Sequence, residues 1–321
     1  MVKNRILIFN DGYQWEDLAD LSSYQLDVTC APGGNRQQLL EKIGDCDACV
    51  PSLRIKFDKE VLDAARRLKV IASQATGTDH LDLKLIEQRG ITLFTLKHDR
   101  DILDQVTTTA ELAWGLLMCC ARKLPECFGA TRQGFWGRHQ FAGTQLNGKT
   151  LGIIGVGRLG TMMMQYGNAF RMRVIGYDPH PKILPLGAQL VSSVEELLAQ
   201  SDFVSLHVHL TDETRNMLNA ERLAKMKHGA SLINTSRGGL IDEAALIREM
   251  DSARIAAAGL DIIHGEWLED KYNHPLIAYS RRNPRLYITP HVGGTSPDAV
   301  RLTARHNFQK VVKYFADHPP V

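Results

Sequence analysis

The sequence has no run of 18 consecutive apolar residues, so no segment reads as a membrane-spanning helix. Neither sign of charge is in large excess. Lys and Arg number 38 against 36 Asp and Glu, a net charge of +2, and no basic cluster stands out. A nucleic-acid partner is therefore not expected, nor a membrane one. Cysteines number six, and a chain of 321 residues needs no disulfide staples. Cys46 and Cys49 form a CxxC, but no second CxxC or HxxxH follows to complete a zinc site, so no metal is expected. The two read instead as small buried hydrophobes where a helix exit runs into a short strand. The opening MVKNRILIFND has no small-residue cleavage site and reads as a first strand, not an export signal. Free thiols and a cytoplasmic location are the expectation. Internal repeats and low-complexity tracts are also lacking.

What is present is an alternation of strand-like and helix-like segments. At about 100–200 residues per domain, the length predicts two domains. Hydrophobic residues make up 44% of the chain, enough for a core in each. Residues 5–9 form an apolar run bounded by the turn signal Asn10-Asp11-Gly12; residues 70–72 and 91–96 are further strand runs, with a helix-like 60–68 before them. Thr108 and Glu111 suggest a capping box opening a helix. Residues 112–120 are apolar almost all round, which predicts burial at a domain junction or a subunit interface. After a linker over 129–149, six strand runs follow at 150–155, 174–177, 202–208, 230–234, 255–261 and 285–289, with helix-like segments between most of them. This predicts an α/β protein with a doubly wound parallel sheet. The last ~30 residues, from His291, read as one amphipathic helix and a tail that pack back onto the first unit. The expected domains are residues 1–104 plus 295–321, and residues 105–294.

Gly155-Val156-Gly157-Arg158-Leu159-Gly160 is a GxGxxG turn directly after a strand run and before a helix-like run. The first glycine permits the tight turn, the second lets backbone approach a pyrophosphate, and the third lets helix and strand pack closely. Amides at the helix start then face the phosphates. Asp178 ends the next strand, 18 residues past Gly160. An acid there accepts from ribose hydroxyls and repels a 2′-phosphate, which favours NAD over NADP. A methyltransferase shares the glycine turn, so other residues must decide the chemistry.

Arg237, Glu266 and His291 each follow a strand run, where α/β folds place function. The set suits hydride transfer to a 2-oxo acid. A forked, permanent cation binds the carboxylate and carbonyl, histidine supplies a proton near neutral pH, and a nearby carboxylate favours the imidazolium.

The stretches LNGKTLGIIGVGRLG (146–160), SDFVSLHVHLTDETRNML (201–218), INTSRGGLIDEAAL (233–246), AAAGLDIIHGE (256–266) and ITPHVGGTS (288–296) resemble the D-2-hydroxyacid dehydrogenase family. That family includes phosphoglycerate, glyoxylate/hydroxypyruvate and formate dehydrogenases. The resemblance implies two Rossmann-like domains: a doubly wound NAD-binding domain and a smaller flavodoxin-like substrate domain. It implies that Arg237, Glu266 and His291 are the catalytic set and that Asp178 binds ribose. It further implies that Asp261 contacts the nicotinamide carboxamide, that Thr235 and Ser236 line the nicotinamide side, and that His207 and Val208 lie near the adenosine. Ala75-Thr76-Gly77-Thr78 matches the loop whose amides hold the substrate carboxylate, and a homodimer is implied. Pro51-Ser52 stands where phosphoglycerate enzymes usually carry Arg-Ser. The appended regulatory domain common in those enzymes is not seen. Trp267 replaces a usual proline, and 268–285 is longer than typical. The expected substrate is thus a small unphosphorylated 2-oxo acid of the glyoxylate/hydroxypyruvate type. D-3-phosphoglycerate dehydrogenase is the alternative, and an NAD(H)-sensing corepressor-like binding protein is an alternative of another class. His139, His180 and His274 read as surface or cap residues.

Overall fold

The computed structural model describes residues 3–10, 18, 20, 26–180, 184–268 and 270–319. The expected turn at Asp11-Gly12 lies outside them. The chain divides into two compact units, Met1–Val106 with Thr295–Val321, and Thr107–Gly294.

The first unit is built on β1 (Asn4–Ile8), β2 (Leu26–Cys30), β3 (Ala48–Val50), β4 (Val70–Ala72) and β5 (Thr92–Phe94), all parallel, in the order β2-β1-β3-β4-β5. That is the flavodoxin-like order. Its shorter helices are α1 (Arg36–Ile43), α2 (Lys59–Ala64), α3 (Leu83–Gln88) and α4 (Arg100–Leu103). Side chains alternate along a strand, so β1 serves two cores. Leu7 and Phe9 pack with Leu39, Ile43, Val61 and Leu62 of α1 and α2. Ile6 and Ile8 pack on the opposite face with Ala304, Phe308, Val311 and Phe315. Those four belong to the C-terminal helix, which runs Pro297–Asp317 rather than starting at His291. Ser296 caps it by accepting the Ala299 N–H, and the proline at its first turn costs no hydrogen bond. Cys46 and Cys49 are buried beside α1, and burial raises both thiols.

The second unit holds β6 (Thr150–Ile154), β7 (Arg173–Tyr177), β8 (Ala188–Leu190), β9 (Phe203–Leu206), β10 (Ala230–Asn234), β11 (Ile255–Leu260) and β12 (Leu286–Ile288). All pair parallel, in the order β12-β11-β10-β9-β6-β7-β8. The strand order reverses between β6 and β9, and the crevice at such a switch point is where these sheets take ligands. The sheet has seven strands, not the expected six. The addition, β8, is a three-residue edge strand, Ala188-Gln189-Leu190, half-exposed and without an apolar run.

The unit's helices are α5 (Thr108–Arg122), α6 (Leu124–Arg132), α7 (Arg158–Ala169), α8 (Val194–Gln200), α9 (Ala220–Ala224), α10 (Glu243–Asp251) and α11 (Pro275–Ser280); the C-terminal helix of the first unit is α12. Two expectations for α5 fail. Its N-cap is Thr107, whose hydroxyl donates to the Glu111 carboxylate at 2.5 Å, and no side chain caps a backbone amide. Thr108 is already helical, so its hydroxyl lies off the cap position. The helix also buries one face only: Ala110, Ala113, Leu116, Leu117, Cys120 and Ala121. Leu112, Trp114, Met118 and Cys119 are half-buried. Among the described residues no helix is long and apolar enough to cross a membrane.

Candidate active site

The glycine turn lies at the switch point. Gly155 has φ +93°, and a Cβ there would sit 2.4 Å from the His207 carbonyl oxygen and 2.6 Å from the Val208 side chain. A Cβ at Gly160 would meet the Gly155 oxygen at 2.0 Å. Packing therefore forces both glycines. Gly157 differs: a Cβ there meets nothing within 4 Å. No packing contact within the chain requires a glycine there. Gly157 is also the N-cap of α7, and as a glycine it supplies no side-chain cap to the helix's first turn. Asp178 Oδ2 accepts the Val156 N–H at 2.8 Å and Oδ1 accepts the His180 N–H at 2.8 Å, which fixes the turn against the end of β7.

Beside this turn, at the ends of β9 and β10, two polar atoms are buried without a partner: His207 Nδ1 and Thr235 Oγ1. His207 Nε2 is 2.8 Å from the Ser205 hydroxyl, and burial pushes the imidazole down to about 4, so it is neutral near pH 7. A bare glycine at a helix N-terminus with no side-chain cap, and two orphaned polar atoms, fit a phosphate-bearing dinucleotide such as NAD.

Three loops beyond β10, β11 and β12 are laced to one another. After β10, the fully buried Asn234 clamps its own turn. Its Oδ1 accepts the Ser236 N–H and its Nδ2 donates to the Arg237 carbonyl, both at 2.9 Å. The Ser236 hydroxyl donates to Leu206 O at 2.8 Å. Gly238 comes next, and a Cβ there would lie 2.2 Å from both Ile263 C and His264 N. The Arg237 turn thus abuts the backbone of the loop that carries Glu266. After β11, Asp261 is 1% exposed and both its oxygens hold the turn after β12. Oδ1 accepts from the Thr289 hydroxyl (2.5 Å) and the Val292 N–H (2.9 Å), and Oδ2 from the Gly293 N–H (2.8 Å). That turn contains His291 at φ +55°, a left-handed conformation that costs a non-glycine residue roughly 1–2 kcal/mol. The buried carboxylate offsets that strain.

The outcome is a direct contact between two loops: His291 Nδ1 lies 2.6 Å from Glu266 Oε2, with the side chains 31% and 15% exposed. Arg237 Nη1 donates to the Ser236 carbonyl at 2.7 Å.

Thr76 and Gly77 belong to the first unit, on the loop after β4. Gln74 ties this loop to α12 through the Thr303 hydroxyl (2.6 Å) and the Val300 carbonyl (3.0 Å). Among the described residues, nothing accepts the Thr76 or Gly77 amide.

Sequence reasoning misses Asn234, Thr289 and Glu243, which all act on backbone or on a neighbouring loop; His274, read as a surface or cap residue, does cap α11 and also reaches the His264 carbonyl. Asn234 carries a signal, being a polar end to an apolar strand. Glu243, next to the helix cap Asp242, carries none beyond helix capping.

Residues 114–293 match the family model described as D-isomer specific 2-hydroxyacid dehydrogenase, NAD binding domain. The chain is 37% identical over 276 residues to a D-3-phosphoglycerate dehydrogenase of Methanocaldococcus jannaschii, covering 85% of this chain and 50% of that protein. It is 34% identical over 278 residues to a hydroxypyruvate reductase of Thermotoga maritima, covering 87% and 88%. A solved structure from Thermus thermophilus superposes with a TM-score of 0.84 at 34% identity, covering 97% of each chain. The chain spans about half the length of the Methanocaldococcus relative. It belongs to the D-isomer-specific 2-hydroxyacid dehydrogenase family, and NAD is the cofactor of the domain its second unit matches.

Proposed function

We propose that this chain is an NAD-dependent dehydrogenase that interconverts a small 2-oxo acid and the matching D-2-hydroxy acid. The observation that carries the reading is the 2.6 Å contact of His291 with Glu266 at the strand ends of an NAD-binding domain. Glu266 accepts from Nδ1–H, which fixes the ring and leaves Nε2 for the substrate oxygen. His291, as imidazolium, hands its Nε2 proton to the oxygen during reduction and takes it back there in the reverse direction; general acid catalysis of this kind contributes about 10²–10⁴-fold. The planar fork of Arg237 binds the substrate carboxylate and polarises its carbonyl. Bound NADH supplies the hydride. Gly155, Gly157, Arg158, Leu159 and Gly160 hold the pyrophosphate, and Asp178 the adenosine ribose. His207 and Val208 flank the adenosine; Thr235, Ser236 and Asp261 lie on the nicotinamide side. The unspent amides of Thr76 and Gly77 suit the substrate carboxylate, which makes the first unit the substrate domain.

Pro51, in place of an arginine, supports an unphosphorylated substrate of the glyoxylate or hydroxypyruvate type. The name of the Methanocaldococcus relative supports the phosphorylated alternative. A homodimer draws support from the exposed Phe128, Phe135 and Trp136 (58%, 43% and 87%), a larger apolar display than a lone surface needs. Six cysteines with no disulfide among them support a reducing, cytoplasmic setting.

The test is loss of NADH absorbance against glyoxylate, hydroxypyruvate, pyruvate, 2-oxoglutarate, a branched 2-oxo acid and 3-phosphohydroxypyruvate. Turnover of an unphosphorylated acid is expected. Preference for the phosphorylated one overturns the substrate assignment. Tight NADH binding with no turnover on any member sinks the dehydrogenase reading in favour of a binding protein.

A further inference from the structure

Glu243 opens α10, outside the glycine turn and outside the Arg237, Glu266 and His291 set. Its Oε1 accepts the His264 backbone N–H at 2.6 Å. His274, the N-cap of α11, approaches the other polar group of the same residue. Its Nε2 is 3.0 Å from the His264 carbonyl oxygen and 3.5 Å from Glu243 Oε2. The tautomer follows from the neighbours. The Leu276 N–H donates to His274 Nδ1 at 3.3 Å, so Nδ1 is the acceptor and Nε2 carries the hydrogen. That hydrogen donates to the His264 carbonyl. The two side chains are 10% and 16% exposed, while His264, whose backbone they hold, is itself exposed.

His264 lies two residues before Glu266, with Gly265 between them at φ +70°. The backbone of His264 is also the surface against which Gly238, next to Arg237, leaves no room for a Cβ. A shift of this residue therefore reaches both Glu266 and the Arg237 turn. We propose that Glu243 and His274 are positioning residues: they clamp the backbone of His264 from both sides and so fix the loop that presents Glu266 to His291. The proposal rests on the roles given above to Glu266 and His291.

Glu243 is a poor choice for stability alone. Burial pushes its carboxyl up to about 7, and among the described residues no lysine or arginine forms an ion pair with it. Arg215 and Asp242 face it only as co-lining groups of a cavity of about 420 Å³, with Asn216 and His264. A costly buried carboxylate spent on a main-chain amide points to a geometric requirement. The cavity also means that truncating Glu243 opens space to water without overpacking, so the fold survives.

The experiment compares Glu243→Ala, Glu243→Gln and His274→Asn with the parent protein. Glutamine keeps an oxygen for the His264 N–H. Asparagine keeps an N-cap acceptor for α11 but is too short to reach the His264 carbonyl. Amide hydrogen exchange over 262–268 and the steady-state constants are both measured. Glu243→Ala is expected to speed exchange in that segment and lower kcat about tenfold, with KM for NADH unchanged. Glu243→Gln restores most of both, and His274→Asn falls between. Unchanged exchange in Glu243→Ala overturns the clamp, and faster exchange with unchanged kcat overturns its positioning role. A parent protein with no turnover on any 2-oxo acid defeats the dehydrogenase reading instead, and the exchange measurement still judges the clamp.

Discussion

The two units share an architecture and differ in what they do with it. Each is a parallel sheet with helices on both faces, and each places loops at the carboxyl ends of its strands. In the first unit, the loop after β4 offers bare amides at Thr76 and Gly77, held by Gln74 from behind. In the second, the loops after β10, β11 and β12 offer charged side chains, and buried polar groups such as Asn234 and Asp261 lock each turn. On the proposed reading, the first unit grips an anion with backbone and the second holds the reacting groups in register. Sheet topology sets where a site sits, and the cross-loop hydrogen bonds decide what it can do.

The sharpest way to break this comparison is His291→Asn. Asparagine tolerates the left-handed backbone at this position, so the loss is chemical. The expectation is a fall in kcat of about 10²–10⁴-fold with thermal unfolding almost unchanged. A comparable fall in unfolding temperature would show that the residue works for the fold instead. Next comes Phe308→Ala, at a fully buried position of α12 in the first unit. A loss of about 3–5 kcal/mol in denaturant unfolding is expected. NADH affinity measured in the native baseline should not move; if it does, the units do not divide the labour as described.

Glu243→Gln probes the second unit by pH. The carboxyl titrates at about 7 in the folded chain against an ordinary 4.5, so its contribution to stability is full below pH 4.5 and is lost as pH rises through 7. Above pH 7 the native protein carries a cost of up to about 3 kcal/mol that glutamine lacks. The stability advantage of the variant should therefore grow between pH 4.5 and 7 and level off above; a flat difference across that range refutes the assignment. The smallest effect is at the glycine turn. Gly157→Ala should fold normally, because its Cβ meets nothing, yet bind NADH about tenfold more weakly. Gly160→Ala should lose stability as well, since its Cβ collides with the Gly155 oxygen. Equal behaviour of the two variants in thermal unfolding and NADH titration would contradict the distinction between packing and ligand glycines.

Much of the fold is legible in the residue pattern. Apolar runs bounded by turns mark β4 and β10 to the residue and most other central strands within a few, because a strand buried on both faces is a short, uninterrupted apolar run. Edge strands escape that logic. Neither β2, whose Leu26 and Val28 are only half-buried and alternate with polar residues, nor β8 forms an uninterrupted apolar run, and neither stands out. Helix starts are legible only to within a residue or two, as the shift from Thr108 to Thr107 shows. For the site, the placement of Arg237, Glu266 and His291 after successive strands is visible in one dimension. The contact between Glu266 and His291 is not, because it depends on how two loops fold over each other. Asn234, Glu243 and His274 are less legible still. Each works through a main-chain N–H or C=O, and every residue but proline offers both, so nothing in the residue order marks which one a side chain will reach.

The helix α12 has a consequence for how the protein is made. It completes the sheet face formed by Ile6, Ile8, Val50, Val70 and Ala72, yet it is synthesised only after the whole of the second unit. On the ribosome, that face must wait, uncovered, for roughly 200 further residues, about 10–40 s at ordinary elongation rates. The second unit is contiguous and can fold during this interval; the first cannot close until α12 has emerged. Nascent-chain protease protection should therefore reach the later half of the molecule before the earlier one. Losses from premature termination should appear as aggregation seeded by the N-terminal sheet.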